Sequence, residues 1–188
     1  MSADDRDRAL REHLLYLLRG GGAHIKFEEV VEGFPVELIN GKTAGVPYTP
    51  WQLLEHMRIA QWDILEFTRS ASHVSPEWPE GYWPDKGLEA SEDDWHRSVE
   101  RLREDLRAFV ELVEDPSTDL YARIAHGEGQ TVLREALLVA DHNAYHLGAL
   151  VVLRRALEDG SGGAKDACVT QLTVAAATFP SFDSAVRT

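Results

Sequence analysis

The stretch "ADHNAYHLGALVVLRR", Ala140 to Arg155, decides how this chain is read. Its apolar residues recur three and four positions apart, the period of an α-helix with one buried face. His142 and His146 fall on that face, one turn apart. Imidazole buries poorly unless both ring nitrogens find partners, and two unpaired rings would cost roughly a few kcal/mol. Two readings follow from the pattern alone. The pair is either hydrogen-bonded core histidine or a pair of metal ligands.

The helix around this stretch is expected to start near Gln130 or Thr131 and to end before Gly160. Its buried face is Leu138, Val139, His142, His146, Ala149, Leu150, Leu153 and Leu157. Glu135 falls on the same face about two turns before His142. It is placed either as a partner or base for the histidines or, preferably, as a partly exposed carboxylate at the bundle end. Asp141 points about 100° away from His142, as Glu55 does from His56, so neither contacts its neighbouring histidine.

Three more segments carry the helical period. Ser2 caps the first, about Ala3 to Arg19, with stripe Leu10, Leu14, Leu17 and Leu18; Gly20-Gly21-Gly22 ends it. The second opens at Thr49-Pro50 with Gln52 closing a capping box, and aligns Leu53, Met57, Ala60, Ile64 and Phe67. His56 lies at the edge of that face. The third starts at Ser91, with Trp95, Val99, Leu102, Leu106, Phe109 and Val113 at near-heptad spacing, and closes at Asp115-Pro116. Four such helices predict an all-α four-helix bundle.

The connections are long. The first contains a short helix over Lys26 to Val31. The second, "SHVSPEWPEGYWPDKGLEA", carries Trp78, Tyr82 and Trp83, either an apolar lid or, preferably, ordinary core at the bundle end. Residues 1–159 read as one domain. Residues 160–188 read as a Gly-rich linker and a tail of open role.

The 188 residues carry a formal charge of −13, which argues against nucleic acid and anionic membrane surfaces as partners. The single cysteine, Cys168, excludes an internal disulfide framework. No uninterrupted apolar run reaches membrane-spanning length and the N-terminus lacks a signal-peptide core, so a soluble cytoplasmic protein is expected.

Of the eight histidines, His13, His73, His96 and His126 are read as solvated and His24 as a loop residue. His56 on the second helix is the natural partner for His142 and His146, since three imidazoles make a metal site with an open position. There is no HExxH motif and no pair of ExxH motifs.

"TPWQLLEHMRIAQWDIL", "SPEWPEGYWP" and "DHNAYHLGALVVLRR", in that order and spacing, resemble the DinB-like superfamily (the DinB/YfiT-like metalloenzymes). The resemblance runs over about Arg8 to Leu157. It implies a four-helix bundle with a divalent metal on His56, His142 and His146, zinc or nickel first, iron or copper otherwise. It implies a metal-dependent hydrolase or a low-molecular-weight-thiol S-transferase acting on a small molecule. The alternatives are a non-catalytic metal- or small-ligand-binding stress protein, and a member that has lost its metal. His24, Glu135 and Trp83 are the candidate pocket-lining residues, and relatives also carry a histidine near His24. Arg58 and Arg134 are the candidate cations for an anionic thiol. Ala149 departs from the family, where a Gln is common. Relatives are often homodimers, and Ile59, Trp62 and Leu65 are read as an outward apolar face of the second helix. Either a second copy covers that face, or the loop with Phe34 and Val36 does.

Overall fold

The computed structural model of the chain describes residues 2–161. The expected tail, with Cys168, therefore lies outside the described residues. Five α-helices follow in order: α1 (Ala3–Leu18), α2 (Phe27–Val31), α3 (Pro50–Arg69), α4 (Glu92–Glu114) and α5 (Val132–Ser161). No strand is found among the described residues; Arg123 and Thr131 form an isolated antiparallel bridge. Four of the helices are long and make the all-α bundle; α2 is the short helix expected near Lys26.

Local chemistry explains where the helices begin. Ser2, Thr49 and Ser91 each accept from the backbone N–H three residues on, and Asp5, Gln52 and Asp94 each return the bond to the cap. Arg11, buried against the end of α4, donates to the carbonyls of Val113, Asp115 and Thr118 and so ties α1 to that end. It satisfies orphan carbonyls of the α4 C-terminus.

α1 and α3 each pack against both α4 and α5. Two apolar clusters result. One joins Leu53, Leu54 and Met57 to Trp95, Val99, Leu102, Leu147 and Leu150, with Val30, Val31 and Phe34 from the first connection. The other joins Leu14 and Leu18 to Ile64, Leu65, Phe109, Val113, Ala136 and Val139. Gln61, fully buried, lies on α3 between the two. Its Nε2 donates to the Leu102 carbonyl at 2.7 Å, and Asn143 Nδ2 donates to its Oε1 at 2.7 Å. A polar layer thus crosses the middle of the bundle.

Several expectations are corrected. α5 does not stop before Gly160 but runs through Ser161. A helical glycine costs about 1 kcal/mol, and the last turns are anchored: Leu157 is buried, and Arg154 donates to the Val30 and Gly33 carbonyls. By length and composition Val132–Gly160 is apolar enough to cross a membrane, a reach hidden from a search for uninterrupted runs by Asp141 and the histidines. Here it buries Ala136, Val139, Leu147, Leu150 and Leu153 in the bundle. Leu17 is 45% exposed rather than core, while Leu14 and Leu18 carry the packing of α1 into the second cluster. Leu65 is 1% exposed and packs in the second cluster, so it is no part of an outward face. Trp62 meets the edge of His73 at 5.0 Å, so the connection after α3 partly covers it, not the loop with Phe34 and Val36. Phe34 packs against Trp95 instead, while Val36 is exposed.

Candidate metal centre

His56 sits on the second turn of α3, and His142 and His146 on successive turns of α5. The packing of α3 on α5 brings the three rings together. His56 Nε2 lies 3.2 Å from His146 Nε2 and 3.3 Å from His142 Nε2. Among the described residues, these three are the one group of His, Cys, Asp or Glu whose ligand atoms converge, all within 4.8 Å of one another.

The protonation pattern of this trio is constrained. His56 Nδ1 lies 2.9 Å from the Tyr82 carbonyl. A carbonyl only accepts, so Nδ1 carries the proton and the neutral ring presents a lone pair at Nε2. One lone pair accepts one well-directed hydrogen bond, yet two imidazole Nε2 atoms face it. His142 Nδ1 and His146 Nδ1 are buried with no hydrogen-bond partner in the protein. A divalent cation removes the conflict, because three Nε2 lone pairs can then point to one centre. The two separations from His56 also suit it: nitrogens about 2.0–2.1 Å from a tetrahedral ion lie about 3.3–3.4 Å apart. The donor set fits a metal.

The surroundings keep the rings neutral. Burial pushes His142 down to about 4, helped by the His56 ring and opposed by the Asn143 side chain. Burial pushes His146 down to about 3, with His142 and then His56 adding to it. His56 is also lowered by burial, partly offset by its bond to Tyr82. Neutral imidazole is the form that ligates.

The connection after α3 builds one wall. Trp83 stacks on His56, ring centroids 3.9 Å apart and planes within 1°, and Tyr48 stacks on Trp83 at 5.4 Å. Tyr145 stands edge-on to His146 at 4.9 Å. Trp83 therefore walls the histidine site and also packs, half-buried, against the first apolar cluster, as the core reading expects. The connection is latched to α3 by Asp63, which is buried and accepts from Tyr82 Oη at 2.6 Å and bonds His73 Nε2 at 2.7 Å. Burial, then the bond to Asp63, raises the Tyr82 phenol.

His73, read as solvated, is part of this latch, with a side chain 8% exposed. His13 and His96 are exposed as expected, and His126, also exposed, bonds the Phe67 carbonyl through Nε2. Glu135 is 2% exposed, not a partly exposed end residue. It pairs with Arg134 at 2.7 Å, and burial raises its carboxyl. No contact joins it to the histidines. His24 is also not brought to them. It is exposed, its Nδ1 bonded to the Ile25 carbonyl, and it lines a different cavity. Arg58 is held by Glu55, and Arg134 by Glu135, so both cations offered for an anionic thiol are committed. Glu55 and Asp141 do not touch the histidines; Glu55 accepts from Ser98 instead.

Asp63 and Gln61 draw no role from the sequence, and Tyr82 enters there only as an aromatic of the second connection. Asp63 is seven residues from His56, hence on the same side of α3, and Gln61 follows Met57 by one turn on the buried face. Polar residues at core positions were the available signal. Tyr82 acts through its carbonyl on His56 and through its hydroxyl on Asp63, and no local spacing marks either.

Comparison with curated proteins gives no match, and comparison with solved structures gives none. The family model described as the DinB superfamily matches residues 23–150. That span is narrower than Arg8 to Leu157, omitting α1, yet it holds all three histidines and the latch. It covers more than half of the chain. With an all-α bundle and a three-histidine cluster compatible with a metal-binding protein, the chain belongs to the DinB superfamily.

Proposed function

We propose that this protein is a metal-dependent enzyme acting on a small molecule, with a divalent ion, zinc or nickel, held by His56, His142 and His146. The observation that carries the reading is the convergence of three Nε2 atoms while Nδ1 of His142 and of His146 lies buried without a partner, so that no arrangement of protons satisfies all three rings. Such an ion supplies Lewis acidity, lowering the pKa of a water or thiol or polarising a carbonyl. The Tyr82 carbonyl fixes the tautomer and orientation of His56. Trp83 shields one face of that ring from water.

Among the described residues no fourth ligand atom joins the trio. An open position supports catalysis over the non-catalytic alternative. Hydrolysis is the preferred reaction class over thiol transfer, because Arg58 and Arg134 are both paired. Tyr48, raised by burial and by Tyr145, keeps its proton at neutral pH and can donate to a substrate oxygen. A homodimer remains part of the proposal, but not on the Ile59, Trp62 and Leu65 face, since Leu65 is core.

The test is turnover by metal-loaded and metal-stripped protein on a panel of small esters and amides and of thiol acceptors. Turnover that appears on loading and is lost in His142→Ala supports the proposal. Turnover unaffected by stripping and by His142→Ala would overturn it.

A further inference from the structure

The residue after each of the three histidines faces the other way. Met57, Asn143 and Leu147, each about 100° round its helix from a histidine, form the floor of a cavity of about 670 Å³. None of His56, His142, His146 or Trp83 lines it. The cavity exists because α1 stops at Leu18 and α2 does not begin until Phe27, which leaves that side of the bundle uncovered. Gly20, at φ +73°, turns the chain away there. On α5 the wall is low, since Ala140 and Ala144 are small. Leu17, Phe27, Leu102 and Leu106 complete an apolar interior. Volumes of about 300–1,000 Å³ with mostly apolar walls are those of small-molecule sites.

The mouth is charged. Three cations, Arg19, Lys26 and Arg103, stand there against two carboxylates, Glu28 and Asp141, in a chain of net charge −13. Arg19 is paired with Glu114, and Arg103 with Glu28 and Glu100. Lys26 makes no ion pair among the described residues and flanks His24 at the rim. Asp141 belongs to α5, the opposite wall.

We propose that this cavity is a second ligand site, separate from the histidine cluster, for an aliphatic carboxylate. Its chain lies over Met57 and Leu106, and its headgroup lies at Lys26. The proposal does not depend on the metal reading, because no residue of the cavity is a histidine of the cluster.

The chain has two methionines, Met1 and Met57, so [methyl-¹³C]methionine labelling of the full-length protein gives a single cavity reporter. Titration with hexanoate, octanoate and decanoate should move the Met57 methyl resonance saturably. Each buried methylene contributes about fourfold, so affinity should rise about fifteenfold for every two carbons. Lys26→Gln should weaken decanoate about threefold, the scale of one exposed charge pair. Ala144→Trp, at an exposed helix position that tolerates a large side chain, should abolish the shift with its helical content intact. No shift up to the solubility limit would overturn the proposal. So would a shift that survives Ala144→Trp, or affinity that ignores chain length. Two other occupants give their own signatures, and either would overturn it too. A Met57 line that depends on protein concentration without ligand means that a second copy fills the cavity. A nitroxide on Cys168, the one cysteine, that broadens Met57 in ligand-free protein means that the tail does.

Discussion

Tyr82→Phe isolates the latch that holds His56. It deletes one oxygen, the donor to Asp63 at 2.6 Å, and keeps the ring and the carbonyl to which His56 bonds. A hydrogen bond to a charged, buried acceptor contributes about 1.5–3 kcal/mol. Asp63 retains His73 at 2.7 Å, so it is not left bare, and the expected loss is about 2 kcal/mol. For a domain of this size that lowers Tm by about 4–8 °C. Metal affinity should fall as well, since a freed connection no longer fixes the His56 ring; about tenfold is the lower end for partners that orient a ligand. Thermal unfolding of metal-free protein measures the first effect, and zinc titration against a competing chelator the second. A variant with unchanged Tm and unchanged zinc affinity would refute the idea that Asp63 and Tyr82 position His56. A lower Tm with unchanged affinity would confine the latch to stability.

The pH dependence has a definite sign. His142 and His146 titrate at about 4 and about 3 when folded, against about 6.5 unfolded. The unfolded chain therefore binds more protons in between, so metal-free stability is full above about pH 6.5 and is lost as pH falls towards 4, by roughly 3 kcal/mol at most for His142. Urea midpoints measured from pH 7 to 4 check this; a midpoint that rises on acidification contradicts it. Zinc occupancy should hold down to about pH 5 rather than fall at the free-imidazole value, as dialysis at stepped pH would show. Gln61→Leu takes the acceptor from the Asn143 amide and a second donor from the Leu102 carbonyl, which keeps its bond within α4, and should cost about 1–3 kcal/mol. A neutral effect on the urea midpoint would mean that the polar layer is not structural. Leu65→Ala should cost about 2–5 kcal/mol, the cost of a cavity in the core, with no change in sedimentation; a monomer–dimer shift without destabilisation would restore it to an interface.

The bundle was legible because its signals are local. Ser2, Thr49 and Ser91 announce helix starts through bonds that span three residues, and the apolar stripes follow one helix at a time. The clustering of the three histidines was legible for the same reason, His142 and His146 sharing a face and His56 lying at the edge of another. What escaped depends on how separate segments meet. His73 is a loop residue by sequence, and only the return of that loop over α3 gives it Asp63 as a partner. Leu65 reads as outward on a wheel centred on Leu53, yet it packs in the second apolar cluster with residues of α1, α4 and α5. His24 precedes a short helix, and nothing local tells which flank of α5 that connection takes. Glu135 faces inward as the period requires, but its ion pair with Arg134 comes from the adjacent residue, which no helical spacing marks.

The central claim is that one divalent ion is held by His56, His142 and His146. Zinc titration of stripped full-length protein, followed by elemental analysis after gel filtration, tests it most directly. One ion per chain is expected, with affinity reduced at least a hundredfold in each of His56→Ala, His142→Ala and His146→Ala. Protein that stays metal-free at a small excess of zinc, or that keeps its ion when any two of these histidines are replaced, would contradict it.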